Sequence, residues 1–143
     1  MEWDFFVSCA ESDTGWGEWI AWELESGGST TYLAVWDSAP GSNAVHRLDE
    51  AVRLSERTIA VISPAYLGEP GLGAQWHAAW AADPDGLRRG LIPVRVAPCE
   101  PAGLLRDIRC VDLVGLTREQ GGRRLAEEIG RGRPRTPRSP LFP

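Results

Sequence analysis

The stretch that decides the fold is Arg57–Trp76, RTIAVISPAYLGEPGLGAQW. Thr58-Ile59-Ala60-Val61-Ile62 is an unbroken apolar run rich in β-branched residues. It does not alternate with polar residues, so it reads as a strand buried on both faces, the signature of a parallel sheet. Ser63-Pro64 punctuates it, because Ser is a good helix N-cap and Pro suits the first helical position. Gly68, Pro70, Gly71 and Gly73 then predict a loop, and a helix over about Ala74 to Ala82 that carries Gln75 and Trp76. In open α/β sheets ligands bind beyond the carboxyl ends of the strands, so the chemistry is expected here.

The same alternation extends in both directions. Upstream, Trp3–Ser8 reads as a first strand, Thr14–Ser26 as a helix with Trp16, Ile20 and Leu24 on one face, and Tyr32–Val35 as a second strand. Trp36–Asn43 is turn-rich, and Ala44, Val45, Leu48, Ala51 and Val52 form a helical stripe. Downstream, Leu91–Val96 is a fourth strand whose Pro93 hints at an edge or a bulge. Cys110–Leu113 is a fifth strand, and Thr117 to Gln120 is a capping box opening a last helix. Strands alternating with helices at this spacing predict a five-stranded parallel sheet with helices on both faces. The expected strand order is second, first, third, fourth, fifth. Residues 1–130 form one domain, and residues 131–143, RGRPRTPRSPLFP, are an Arg/Pro-rich linker or tail outside the core.

Composition narrows the function classes. The 143 residues carry 43% hydrophobic and 24% charged side chains, the proportions of an ordinary globular domain. No apolar run approaches the length of a membrane span, and the acidic start Met1-Glu2-Trp3-Asp4 shows no signal peptide; a cytoplasmic location and no membrane partner are the expectations. All fifteen basic residues are arginine, which excludes a Schiff-base or P-loop lysine. Four of them fall in the last thirteen residues, leaving eleven arginines against twenty acids in the body. An acidic body argues against nucleic acid as a partner. Cys9, Cys99 and Cys110 form no CxxC pair and are expected to be buried, reduced thiols, with no metal site.

Four motifs, in order, resemble those of Toll/interleukin-1 receptor (TIR) domains. WDFFVSCAES (residues 3–12) is similar to box 1, and WDSAPGSN (36–43) to box 2 with its Pro-Gly loop. SPAYL (63–67) and LIPVRVAPCEP (91–101) resemble the bacterial, actinobacterial-type branch. The likeness covers residues 2 to about 130. It implies a flavodoxin-like fold and two modes of action. One is self-association, or association with other TIR domains, through the loop carrying Pro40, Gly41, Ser42 and Asn43. The other is cleavage of the N-glycosidic bond of NAD, which acts as substrate or ligand rather than as a resident cofactor.

The catalytic group of such enzymes is a Glu at the start of the third helix, and the matching position here is Gln75. Departure of nicotinamide leaves an oxocarbenium-like ribose, which a carboxylate stabilises and an amide does not. Where the family places a pocket aromatic four residues earlier, this chain has Gly71. Where box 1 carries Tyr, it has Cys9. Ser8, Cys9, Trp36, Asp37, Gly71 and Trp76 are the remaining candidate nucleotide contacts. Trp36 and Trp76 can equally be core, and Ser8 can equally cap the next turn. The resemblance therefore implies a signalling or antiphage-defence module that self-associates and binds NAD with weak or absent hydrolysis. The rival is an active NAD nucleosidase releasing nicotinamide and ADP-ribose or its cyclic form, with Gln75 an engineered change or Glu69 standing in.

Overall fold

The computed structural model describes residues 2–34, 50–83, 86 and 90–129. Five strands form one parallel sheet: β1 (Trp3–Ser8), β2 (Thr31–Leu33), β3 (Ser55–Ile62), β4 (Leu91–Arg95) and β5 (Val111–Asp112). Their order is β2-β1-β3-β4-β5, as the sequence predicts, with β3 at the centre. Phe5 pairs with Thr31 on one side and Arg57 on the other, and Ile59 pairs with both Val7 and Ile92. Among the described residues, helices α1 (Thr14–Ser26), α2 (Pro64–Leu67), α3 (Pro70–Ala82) and α4 (Arg118–Glu128) cover the faces. Residues 50–54 are also helical and lead directly into β3. Trp36, Asp37, Pro40, Gly41, Ser42, Asn43 and the 131–143 segment lie outside the described residues.

Each strand of the centre is buried on both sides because its alternate residues serve different helices. Ile59 and Val61 of β3 join Phe5, Val7, Ile92 and Val94 against Ile20 and Leu24 of α1 and Leu125 of α4. Ala60 and Ile62 turn to the other face, against Tyr66, Leu72, Trp76 and Ala79 from α2 and α3. This two-sided burial is why the run 59–62 contains no polar residue.

The structure departs from the sequence reading in four places. First, β3 starts at Ser55, three residues early, because Arg57 is only 3% exposed and holds its guanidinium 5.8 Å over the Phe5 ring. Second, α3 starts at Pro70, so Gly71 and Gly73 are helical rather than loop residues. Proline at the first position is preset for a helix. The burial of Leu72 and Trp76 outweighs the glycine cost of about 1 kcal/mol each. Third, β4 is internal; the β5 ladder begins at Val94, so Pro93 gives up no bond on that side. Fourth, Trp16 is 37% exposed and leaves the α1 stripe to Ile20 and Leu24.

Candidate functional site

The order β2-β1-β3 reverses the direction of winding at the β1/β3 pair, where ligands bind in open α/β sheets. β1 ends there at Ser8 and β3 at Ile62, followed by Ser63. Ser63 caps α2 by accepting the Tyr66 N–H at 3.1 Å, as its sequence position predicts. Its hydroxyl donates in turn to the Asp13 carboxylate, tying the turn after β1 to the turn after β3. Asp13 stands at the N-cap position of α1 yet makes no cap there, because its side chain serves Ser63 instead.

Ser8 is the hub. Its Oγ donates to Gln75 Oε1 at 2.6 Å and lies 3.0 Å from the Tyr66 hydroxyl. Ser8 has one proton, and it goes to Gln75, so Tyr66 is the donor to Ser8. The result is a relay from Tyr66 through Ser8 to Gln75. Tyr66 is 2% exposed, and burial pushes its phenol up to about 12, partly offset by the Ser8 bond. It therefore stays protonated and remains a fixed donor. Gln75 is half-buried, and among the described residues its N–H₂ group has no partner.

The predicted site residues divide cleanly. Ser8 and Gln75 are brought into contact, and Gly71 lies one turn before Gln75 on the same face of α3, exposed, with open space where a Cβ would stand. Trp76 belongs to the core, its ring stacked on His77 at 3.7 Å. Cys9, beside Gly17, is half-buried rather than fully buried; Cys99 and Cys110 are half-buried too, and all three are free. Burial, with the Asp13 and Glu18 carboxylates, pushes the Cys9 thiol up to about 11, so it is a poor nucleophile at neutral pH. Glu69 is the exposed N-cap residue of α3. It sits roughly 240° around the axis and about 9 Å along it from Gln75, a different face of the helix. Tyr66 and Asp13 were not picked out from sequence; the signal for Tyr66 was its place three residues after a capping Ser. Among the described residues no group of His, Cys, Asp and Glu could hold a metal ion.

The sequence model of the TIR domain family matches residues 5–126. The chain belongs to the TIR domain family. Its fold is similar to the TIR domain of the Toll-related receptor TRR-2 from Hydra magnipapillata, at 25% identity and a TM-score of 0.66, covering 78% of this chain and 84% of that one. It is also similar to a TIR-STING receptor from C. gigas, solved in complex with 2',3'-cGAMP, at 25% identity and a TM-score of 0.63. That match covers 86% of this chain and 39% of the longer receptor. Both solved relatives are metazoan, not bacterial. No curated protein sequence matched this TIR domain. Among its described residues, no helix is long and apolar enough to cross a membrane.

Proposed function

We propose that this TIR domain is a signalling module that acts by assembly with other TIR domains, itself included, and holds an NAD-type nucleotide at the β1/β3 switch point with weak or no hydrolysis. The observation that carries this reading is the Ser8–Gln75 bond. It fixes an uncharged amide at the carboxyl edge of the sheet, where cleavage of a glycosidic bond calls for a carboxylate. The amide keeps hydrogen bonding to ribose hydroxyls but offers little stabilisation to an oxocarbenium. Loss of one such preorganised group costs about 3 kcal/mol, or on the order of a hundredfold in rate. The family motifs, rather than any solved relative, support the bacterial branch and a cytoplasmic role in antiphage defence.

The rival reading, an active nucleosidase using Glu69, has less support because Glu69 is exposed at the N-cap of α3, about 9 Å along the helix axis from Gln75. Nicotinamide release from NAD at high protein concentration tests both. Weak or no release by the natural chain, and release by Gln75→Glu, supports the proposal. Full release by the natural chain that Glu69→Ala abolishes supports the rival.

A further inference from the structure

Each proton in the Tyr66–Ser8–Gln75 chain has a fixed direction. Tyr66 and Ser8 are both buried, so neither hydroxyl turns to solvent, and each has one proton to give. Tyr66 donates to Ser8 at 3.0 Å, and Ser8 donates to Gln75 Oε1 at 2.6 Å. The amide oxygen of Gln75 is therefore held toward β1, and its N–H₂ group forms the other edge of the amide. Among the described residues that group has no partner, although Gln75 is half-buried. Hydrogen bonds in a chain polarise one another, so the bond at Oε1 makes the N–H₂ group a stronger donor. Such an edge carries partial positive charge and calls for an acceptor. A carboxylate at the same position would present the opposite sign.

The ground beside Gln75 points the same way. Gly71, one turn earlier on the same face of α3, is exposed, and nothing lies within 4 Å of the place a Cβ would take. Position 71 thus offers no wall for a pyridine ring to stack on. Trp76, next to Gln75 in sequence, does not supply one, since its ring is stacked on His77 and packed in the core. We propose, on the reading that this site holds an NAD-type nucleotide with its ribose at Gln75, that it selects the ring-free form, a ribose with an open anomeric hydroxyl as in ADP-ribose, over NAD itself. In NAD the ribose C1 carries a pyridinium cation, which the N–H₂ edge repels and no aromatic wall holds. In ADP-ribose C1 carries a hydroxyl oxygen, an acceptor for that same edge. The domain then reads the product of NAD cleavage instead of carrying the cleavage out.

Isothermal titration calorimetry tests this, with ADP-ribose and with an uncleavable NAD analogue that has carbon in place of the ribose ring oxygen and keeps the pyridinium. The natural chain should bind ADP-ribose about tenfold more tightly, the worth of one hydrogen bond. Gln75→Glu should reverse the order, because a carboxylate then faces the cation. Ser8→Ala frees the amide to turn over and should bring the two affinities together. Gly71→Phe should tighten the analogue more than ADP-ribose. Gln75 is half-buried on a helix and Glu is nearly isosteric with it, so the Gln75→Glu arm decides even where Ser8→Ala does not fold. An analogue that binds the natural chain as tightly as ADP-ribose, or an order that Gln75→Glu leaves unchanged, overturns the selection while nucleotide binding stands. If neither ligand binds the natural chain or Gln75→Glu, the nucleotide reading falls and the selection with it.

Discussion

Ser8 and Gln75, 67 residues apart in the chain, meet at 2.6 Å across the point where the sheet reverses its winding. The contact is load-sharing, since the same Ser8 oxygen also receives the buried Tyr66 hydroxyl. Ser8→Ala should therefore strand two partners at once and cost about 1–3 kcal/mol in urea unfolding. Tyr66→Phe removes only the end of the relay and should cost about 1 kcal/mol. In the double variant the losses should not add, because both single changes break the same bond. Strict additivity would mean that the relay does not exist in solution.

Gly71 occupies a helical position with nothing in front of its Cα direction. Gly71→Ala should stabilise the domain by about 0.5–1 kcal/mol through helix propensity. In a Gln75→Glu background, Gly71→Phe should raise nicotinamide release further by supplying an aromatic wall; base stacking of that kind is worth about 1–3 kcal/mol. Equal release with Gly and Phe would show that residue 71 does not face the nucleotide.

Cys9 and Tyr66 predict a fall in stability at alkaline pH. Both are acids whose neutral forms the folded state favours, moving from 9.0 to about 11 and from 10.0 to about 12. Their contribution is complete below pH 9 and is lost as pH climbs through 11 and 12, since the unfolded chain gives up these protons first. Urea midpoints measured from pH 8 to 11 should decline, and Cys9→Ala should flatten the early part of that decline. A midpoint that holds steady to pH 11 would contradict the burial of both groups.

Gly17 packs where α1 crosses the sheet, and a Cβ there would meet the Cys9 Sγ at 2.8 Å and the Leu33 Cδ1 at 3.2 Å. Gly17→Ala should cost about 1–3 kcal/mol by overpacking, more than any helix propensity it gains. Adding Cys9→Ala should return part of that loss, which thermal melts of the three variants can check.

Assembly has its own test. Pro40→His and Gly41→Ala should weaken self-association measured by light scattering, with thermal stability within about 1 kcal/mol of the natural chain. Undiminished assembly would exclude this loop as the contact.

The architecture was readable because burial leaves a periodic trace. The run 59–62 had to be central, since a strand covered on both faces dispenses with polar residues. Thr117 and Gln120 announced α4 through a capping box that the structure reproduces, with Gln120 N–H to Thr117 Oγ1 at 3.2 Å. What hid was whatever depended on a distant neighbour. No local pattern says that Arg57 will be buried over Phe5, or that Leu72 and Trp76 will hold two glycines in a helix. The site was half legible for the same reason. Ser8 and Gln75 could be named one by one, but that they touch follows from the fold, and Tyr66 and Asp13 join them only in three dimensions.

The position of β1 bears on how the domain is made. β1 lies inside the sheet, with β2 on one flank and β3 on the other. During synthesis its apolar residues Phe5, Phe6 and Val7 emerge before either neighbour, since one flank waits for residues 31–33 and the other for residues 55–62. Until then both edges of a hydrophobic strand are open, the condition in which nascent chains pair wrongly or recruit chaperones. The order in which β2 and β3 reach β1, as well as the stability of the finished sheet, therefore bears on the yield of folded protein.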